Sequence, residues 1–171
     1  MLHPLCNDGT NIMMQFFKGI AVTAGLAALL LTGPAIAEGE FDKPIKARKA
    51  LMQIYSFNLG QLGAMAKGEA EYNSELAADL AQNLLAAAKM KNAKMWPQGS
   101  DNVALPEMTR ALPETWSTYP KVAEKQKALV AALETFAPLA GKDLESLQGG
   151  IKAVGGGCGG CHKPFRAEKK S

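Results

Sequence analysis

Residues 155–166, Gly-Gly-Gly-Cys-Gly-Gly-Cys-His-Lys-Pro-Phe-Arg, place two thiols and an imidazole at positions 158, 161 and 162. Such a trio can hold a metal, shuttle a disulfide, or anchor a haem. A structural zinc ion needs four protein ligands, and downstream of residue 37 the chain has no other Cys or His. A redox dithiol wants its first Cys at a helix N-terminus after a strand, and no strand pattern precedes Cys158. A plain disulfide would close a very small loop and leave His162 without a role. Attachment of haem c, one per chain, uses all three residues. Cys158 and Cys161 form thioethers with the two vinyl groups, and His162 presents its imidazole to the iron. The glycines at 155, 156, 157, 159 and 160 allow a flat macrocycle to approach the backbone. They also weaken a helix by up to about 1 kcal/mol each relative to Ala, so the last helix is expected to fray without haem.

The chain around this motif has 171 residues, 47% hydrophobic and 20% charged, enough for one core. Residues 1–37 read as an N-terminal extension and signal peptide. Lys18 is the positive end, Ile20 to Leu31 the apolar stretch, and Ala35-Ile36-Ala37 the small-residue cleavage site. The apolar stretch is shorter than the ~20 residues a spanning helix needs, and Gly33-Pro34 interrupts it, so no membrane span is expected in the mature chain. Residues 38–171 then form the mature domain, exported to the periplasm. Its charge is mildly positive and its Lys and Arg form no tract, which argues against a nucleic-acid partner.

Four stretches downstream carry helical spacing, and none alternates like a half-buried strand. Phe41, Ile45, Met52, Tyr55, Leu59, Leu62 and Ala66 mark a first helix that Gly68 stops. Leu76, Leu80, Leu84, Ala87 and Met90 mark a second, behind Asn73 or Ser74 as N-cap. A loop around Pro97–Pro106 follows. Pro106, Pro113 and Pro120 obscure the start of the third helix, whose firm part is Val122 to Phe136. Behind Asp143 as N-cap, Leu144, Leu147, Ile151, Val154, Cys158, Cys161 and Phe165 line the fourth. The expected fold is all-α, an antiparallel up-down-up-down four-helix bundle with covalently attached haem, the motif facing inward.

With C-x-x-C-H near the end of such a bundle, the mature region resembles the class II cytochromes c, the cytochrome c-prime family. The resemblance assigns Cys158 and Cys161 to the haem thioethers and His162 to the proximal ligand. Phe165-Arg166 is similar to the family's aromatic and basic pair, and Trp116 in "PETWS" to a Trp packed near the haem. Pro164 departs from the pattern and predicts a kink or an early helix end, with residues 167–171 loose.

The second axial position of the iron decides between electron transfer and gas binding. Its candidates are Met52, Met65, Met90, Met95 and Met108, or no residue. Read from the residues alone, a Met on an inward stripe is also an ordinary core filler. Residues 45–69 resemble the first helix of the low-spin branch, which implies Met52 as the ligand. The expected function is then single-electron transfer between redox partner proteins, with no enzymatic activity of its own. The alternative is a five-coordinate cytochrome binding nitric oxide or carbon monoxide. The resemblance also implies a possible homodimer through the first two helices.

Overall fold

The computed structural model describes residues 39–169; the expected signal peptide lies outside them. The elements run α1 (Asp42–Lys67), α2 (Ser74–Lys89), a 3-10 turn (Ala93–Met95), the short α3 (Glu114–Ser117), α4 (Tyr119–Phe136) and α5 (Leu144–Phe165). The four long helices form a four-helix bundle, as expected.

Local chemistry sets the boundaries. Asn73 Oδ1 accepts from Leu76 N at 2.9 Å, and Asp143 Oδ1 from Ser146 N at 2.7 Å, so each side chain satisfies an orphan donor of its helix. Gly68 ends α1 in the left-handed region at φ 75°, where a Cβ would be strained. Pro120 sits in the first turn of α4, where its missing N–H costs nothing, and the helix therefore begins earlier than Val122.

Leu62, Leu80, Leu84, Leu133, Phe136, Leu147 and Val154 close the core from all four long helices. Two expected stripes are rotated. On α2, Leu76 and Met90 are exposed while Ala77, Ala81 and Ala88 are buried. On α1, Leu51 is buried and Met52 is 38% exposed, at the rim of the inward face. The apolar stripes leave out polar residues that fill the contact: Arg48 and Asn58 are buried on α1.

The antiparallel order puts the first half of α1 at one end with the last turn of α2, the start of α4 and the end of α5. Gln126 Nε2 donates to Ala88 O at 2.8 Å there. At the opposite end Gln148 Nε2 donates to Ala66 O at 2.8 Å, Tyr72 to Ala140 O at 3.1 Å, and Ser74 Oγ to Gly141 O. Among the described residues no helix is long and apolar enough to cross a membrane.

Candidate functional site

Cys158, Cys161 and His162 lie on one side of α5, all partly buried, and both thiols are free. Among the described residues no three His, Cys, Asp or Glu side chains converge where a metal ion could sit. The thiols and imidazole are arranged along a helix rather than around a point. That suits bonding to the edge of a large group with one imidazole aimed at its centre, and it does not suit zinc.

The helix does not break at Pro164. α5 continues to Phe165, and the chain beyond is pinned where the sequence suggested it would be loose. Leu112 N donates to Phe165 O at 3.0 Å and Ala167 N to Arg110 O at 2.8 Å, an isolated antiparallel bridge between Ala111 and Arg166. The loop after α2 thus holds the C-terminal side of the motif, and Phe165 is buried.

The glycines divide into two groups. A Cβ on Gly155, Gly156 or Gly159 would meet nothing within 4 Å, which suits close approach of a macrocycle. Gly157 instead faces α4, where a Cβ would come 3.1 Å from Leu129 Cδ1. It serves helix packing, contrary to the expectation from its place in the run.

Burial and then the charges of Arg166 and Arg110 hold the His162 pKa below its usual value. A neutral imidazole, the form that ligates metals, is favoured. Burial raises the thiol pKa of Cys158. At Cys161 burial again leads, Cys158 adds to it, and Lys125 on α4 opposes. Across from the motif, Tyr55 on α1 has its pKa pushed up to about 12, first by burial and then by Cys158. Met52 lies one turn before Tyr55 on the same helix and is 38% exposed. Met65 is buried in the core, and Met90 is 46% exposed at the end of α2.

Sequence periodicity missed a polar cluster on α1. Arg48, 3% exposed, donates from Nη1 to Ser100 Oγ at 2.8 Å and from Nη2 to Ser100 O at 2.5 Å and Thr109 Oγ1 at 2.8 Å. Its guanidinium lies 4.9 Å from the Trp96 ring centroid and 5.9 Å from that of Trp116, within cation–π range. Trp116 in turn donates from Nε1 to Trp96 O at 3.1 Å. None of these hydrogen-bond partners is a carboxylate; burial lowers the Arg48 pKa and the charge of Asp101 partly offsets that, so the cluster holds a positive charge with one carboxylate near it. Thr115 Oγ1, also buried, has no partner among the described residues. Two thiols, a neutral imidazole, side-chain-free backbone and a buried cation together match a covalently bound macrocycle that carries carboxylates.

The family profile described as Cytochrome C' matches residues 43–166. Cytochrome c-554 of Cereibacter sphaeroides is 38% identical over 127 residues, covering 74% of this chain and 95% of that protein. Among solved structures, a cytochrome c' from Rhodobacter spheriodes has a TM-score of 0.74 at 27% identity, over 77% of this chain and all of that one. A second cytochrome c', described by its unusual ligand-controlled dimer dissociation, has a TM-score of 0.69 at 26% identity, over 77% of this chain and 100% of that one.

Proposed function

The chain belongs to the cytochrome c' family, whose members carry one covalently attached haem c, and from that premise we propose that it is a periplasmic single-electron carrier with His162 and Met52 as axial ligands. Cys158 and Cys161 tether the haem through thioethers, and the haem supplies an iron that alternates between ferrous and ferric states. His162, kept neutral by burial and two arginines, donates its lone pair. Arg48 gives a buried counter-charge to a haem carboxylate. What supports the reading is the spacing of Met52 on α1, one turn before Tyr55, the residue whose charge environment includes Cys158. A thioether there pairs with imidazole to keep the iron six-coordinate in both oxidation states, so little rearrangement accompanies transfer. The periplasmic assignment rests on residues 1–37, which read as an N-terminal extension and signal peptide.

A second reading, a five-coordinate protein that binds nitric oxide or carbon monoxide, is favoured by the comparisons over the first. The matching profile and both structural neighbours described above carry the name cytochrome c'. Absorption spectra of the ferric and ferrous protein, before and after carbon monoxide, separate the two. The first expects a low-spin spectrum that the gas barely changes, and conversion to ready gas binding in Met52→Ala. A high-spin wild type that binds the gas at once would establish the second.

A homodimer through the outer face of α1 accompanies either reading. Ile54 and Phe57, one turn apart, are 45% and 68% exposed, an apolar pair that a second copy would cover.

A further inference from the structure

The fold separates charges that the linear sequence mixes. Residues 39–59, 83–134 and 153–169, with the Lys89–Glu134 ion pair at 2.7 Å kept together, form the motif-bearing end and hold 14 Lys and Arg against 8 Asp and Glu, a net of +6. Residues 60–82 and 135–152, at the other end, hold 3 against 6, a net of −3. The carboxylates of a haem would lower the first figure without reversing it.

The basic end is dense around the motif itself. Lys125 packs its stem beside Gly160, where a Cβ would lie 3.9 Å from Lys125 Cδ, and its charge reaches Cys161. Lys121 is one turn before it on α4. Arg110 and Arg166 flank the bridge at Ala111, and both act on His162. Lys163 follows His162 directly. All five side chains are exposed, and none forms an ion pair with a described residue. Unpaired like charges held on one face repel each other, an arrangement that a partner of opposite sign relieves.

We propose that this end, centred on Lys121, Lys125, Lys163, Arg110 and Arg166, is the docking face for an acidic redox protein, with the negative far end orienting the molecule during approach. The inference rests on the electron-carrier reading and adds the partner's chemistry to it. Steering of this kind raises encounter rates and fades with salt. On transfer, one electron leaves ferrous haem and reduces the partner's acceptor by one, with no proton and no bond exchanged.

The test uses ferrous holoprotein in stopped flow, with anionic ferricyanide and cationic tris(phenanthroline)cobalt(III) as one-electron oxidants. The ratio of the two rates removes changes in driving force that are common to both. The expected ratio for wild type falls as salt is added. It is lower by roughly tenfold at low ionic strength in Lys121→Glu/Lys125→Glu/Lys163→Glu. The equal charge change Lys67→Glu/Lys142→Glu/Lys152→Glu at the far end leaves the ratio near wild type. Wild type is also expected to be retained on immobilised polyglutamate, and the motif-end variant to pass through. A salt-independent ratio, or an equal fall in both variants, would overturn the proposal. So would sedimentation with phosphatidylglycerol vesicles without retention on polyglutamate, which would make the face a membrane contact. Carbon monoxide added to the same ferrous samples reads the sixth ligand separately, so failure of the carrier reading is distinguishable from failure of the docking face.

Discussion

Gly150 on α5 lies directly against the Phe136 ring on α4: a Cβ at Gly150 would stand 2.5 Å from Phe136 Cδ2. Phe136 is 1% exposed. With Gly157 against Leu129 seven residues later, this contact lets the motif-bearing helix pack closely on its neighbour.

Gly150→Ala is therefore expected to lower stability. Overpacking costs about 1–3 kcal/mol, against a gain of at most about 1 kcal/mol in helix propensity. Gly149→Ala meets nothing within 4 Å and lies away from the motif, and should gain up to that same propensity increment. Thermal melts of the two holoprotein variants should move in opposite directions. A shift of both in one direction would mean that the glycines act through propensity alone.

Arg48→Ala removes three hydrogen bonds and two ring contacts, and leaves the Ser100 carbonyl and Thr109 hydroxyl short of a donor. A loss of about 3 kcal/mol is expected. Arg48→Lys should recover less than half of it, because one ammonium cannot bridge Ser100 and Thr109 while lying flat on Trp96. Urea denaturation followed by tryptophan fluorescence checks both, since Trp96 and Trp116 are the chain's only tryptophans.

The elements that sequence made legible are those fixed by local chemistry. The Asn73 and Asp143 caps, the Gly68 stop and the 3.6-residue stripe of α5 all depend on neighbours within a turn or two. Cys158, Cys161 and His162 share one face of α5, as spacings of three and four residues on a helix require. The loop from Trp96 to Leu112 was not legible, since its course depends on Arg48, fifty residues earlier, and on the bridge to Arg166, more than fifty later. Arg48 was hidden because amphipathic patterns assign charged residues to the surface. Gly157 was misassigned because glycines in one run look alike until the neighbouring helix is in place. The basic end was invisible for a related reason: its charges lie in separate chain segments that only the topology unites.

Tyr55 predicts a pH dependence. Its folded pKa of about 12 stands above the ordinary value of 10.0, chiefly through burial. Between those two values the folded protein keeps a proton that the unfolded chain releases, so stability must fall as pH rises through this window. Below the lower value the contribution is fully present. Tyr55→Phe should flatten the fall, read as melting temperature against pH. As the proposed thioether Cys158 carries no charge, so burial alone remains and the window narrows from above.

Phe57 carries the last prediction. It is 68% exposed on the outer face of α1, one turn from Ile54 at 45%, while Asn58 beside it is buried and donates to Ile54 O at 2.7 Å. The outer pair is thus held by a helix whose inner face is already committed to the bundle, and substituting it should leave the fold intact. If a second copy covers this pair, Phe57→Glu places two like charges close together at a two-fold contact, and the dimer should weaken by at least tenfold in dissociation constant. Sedimentation equilibrium of wild type and variant measures it, with the haem spectrum as the control for folding. A wild type that stays monomeric at high micromolar concentration would remove the dimer and leave Phe57 as an ordinary exposed aromatic.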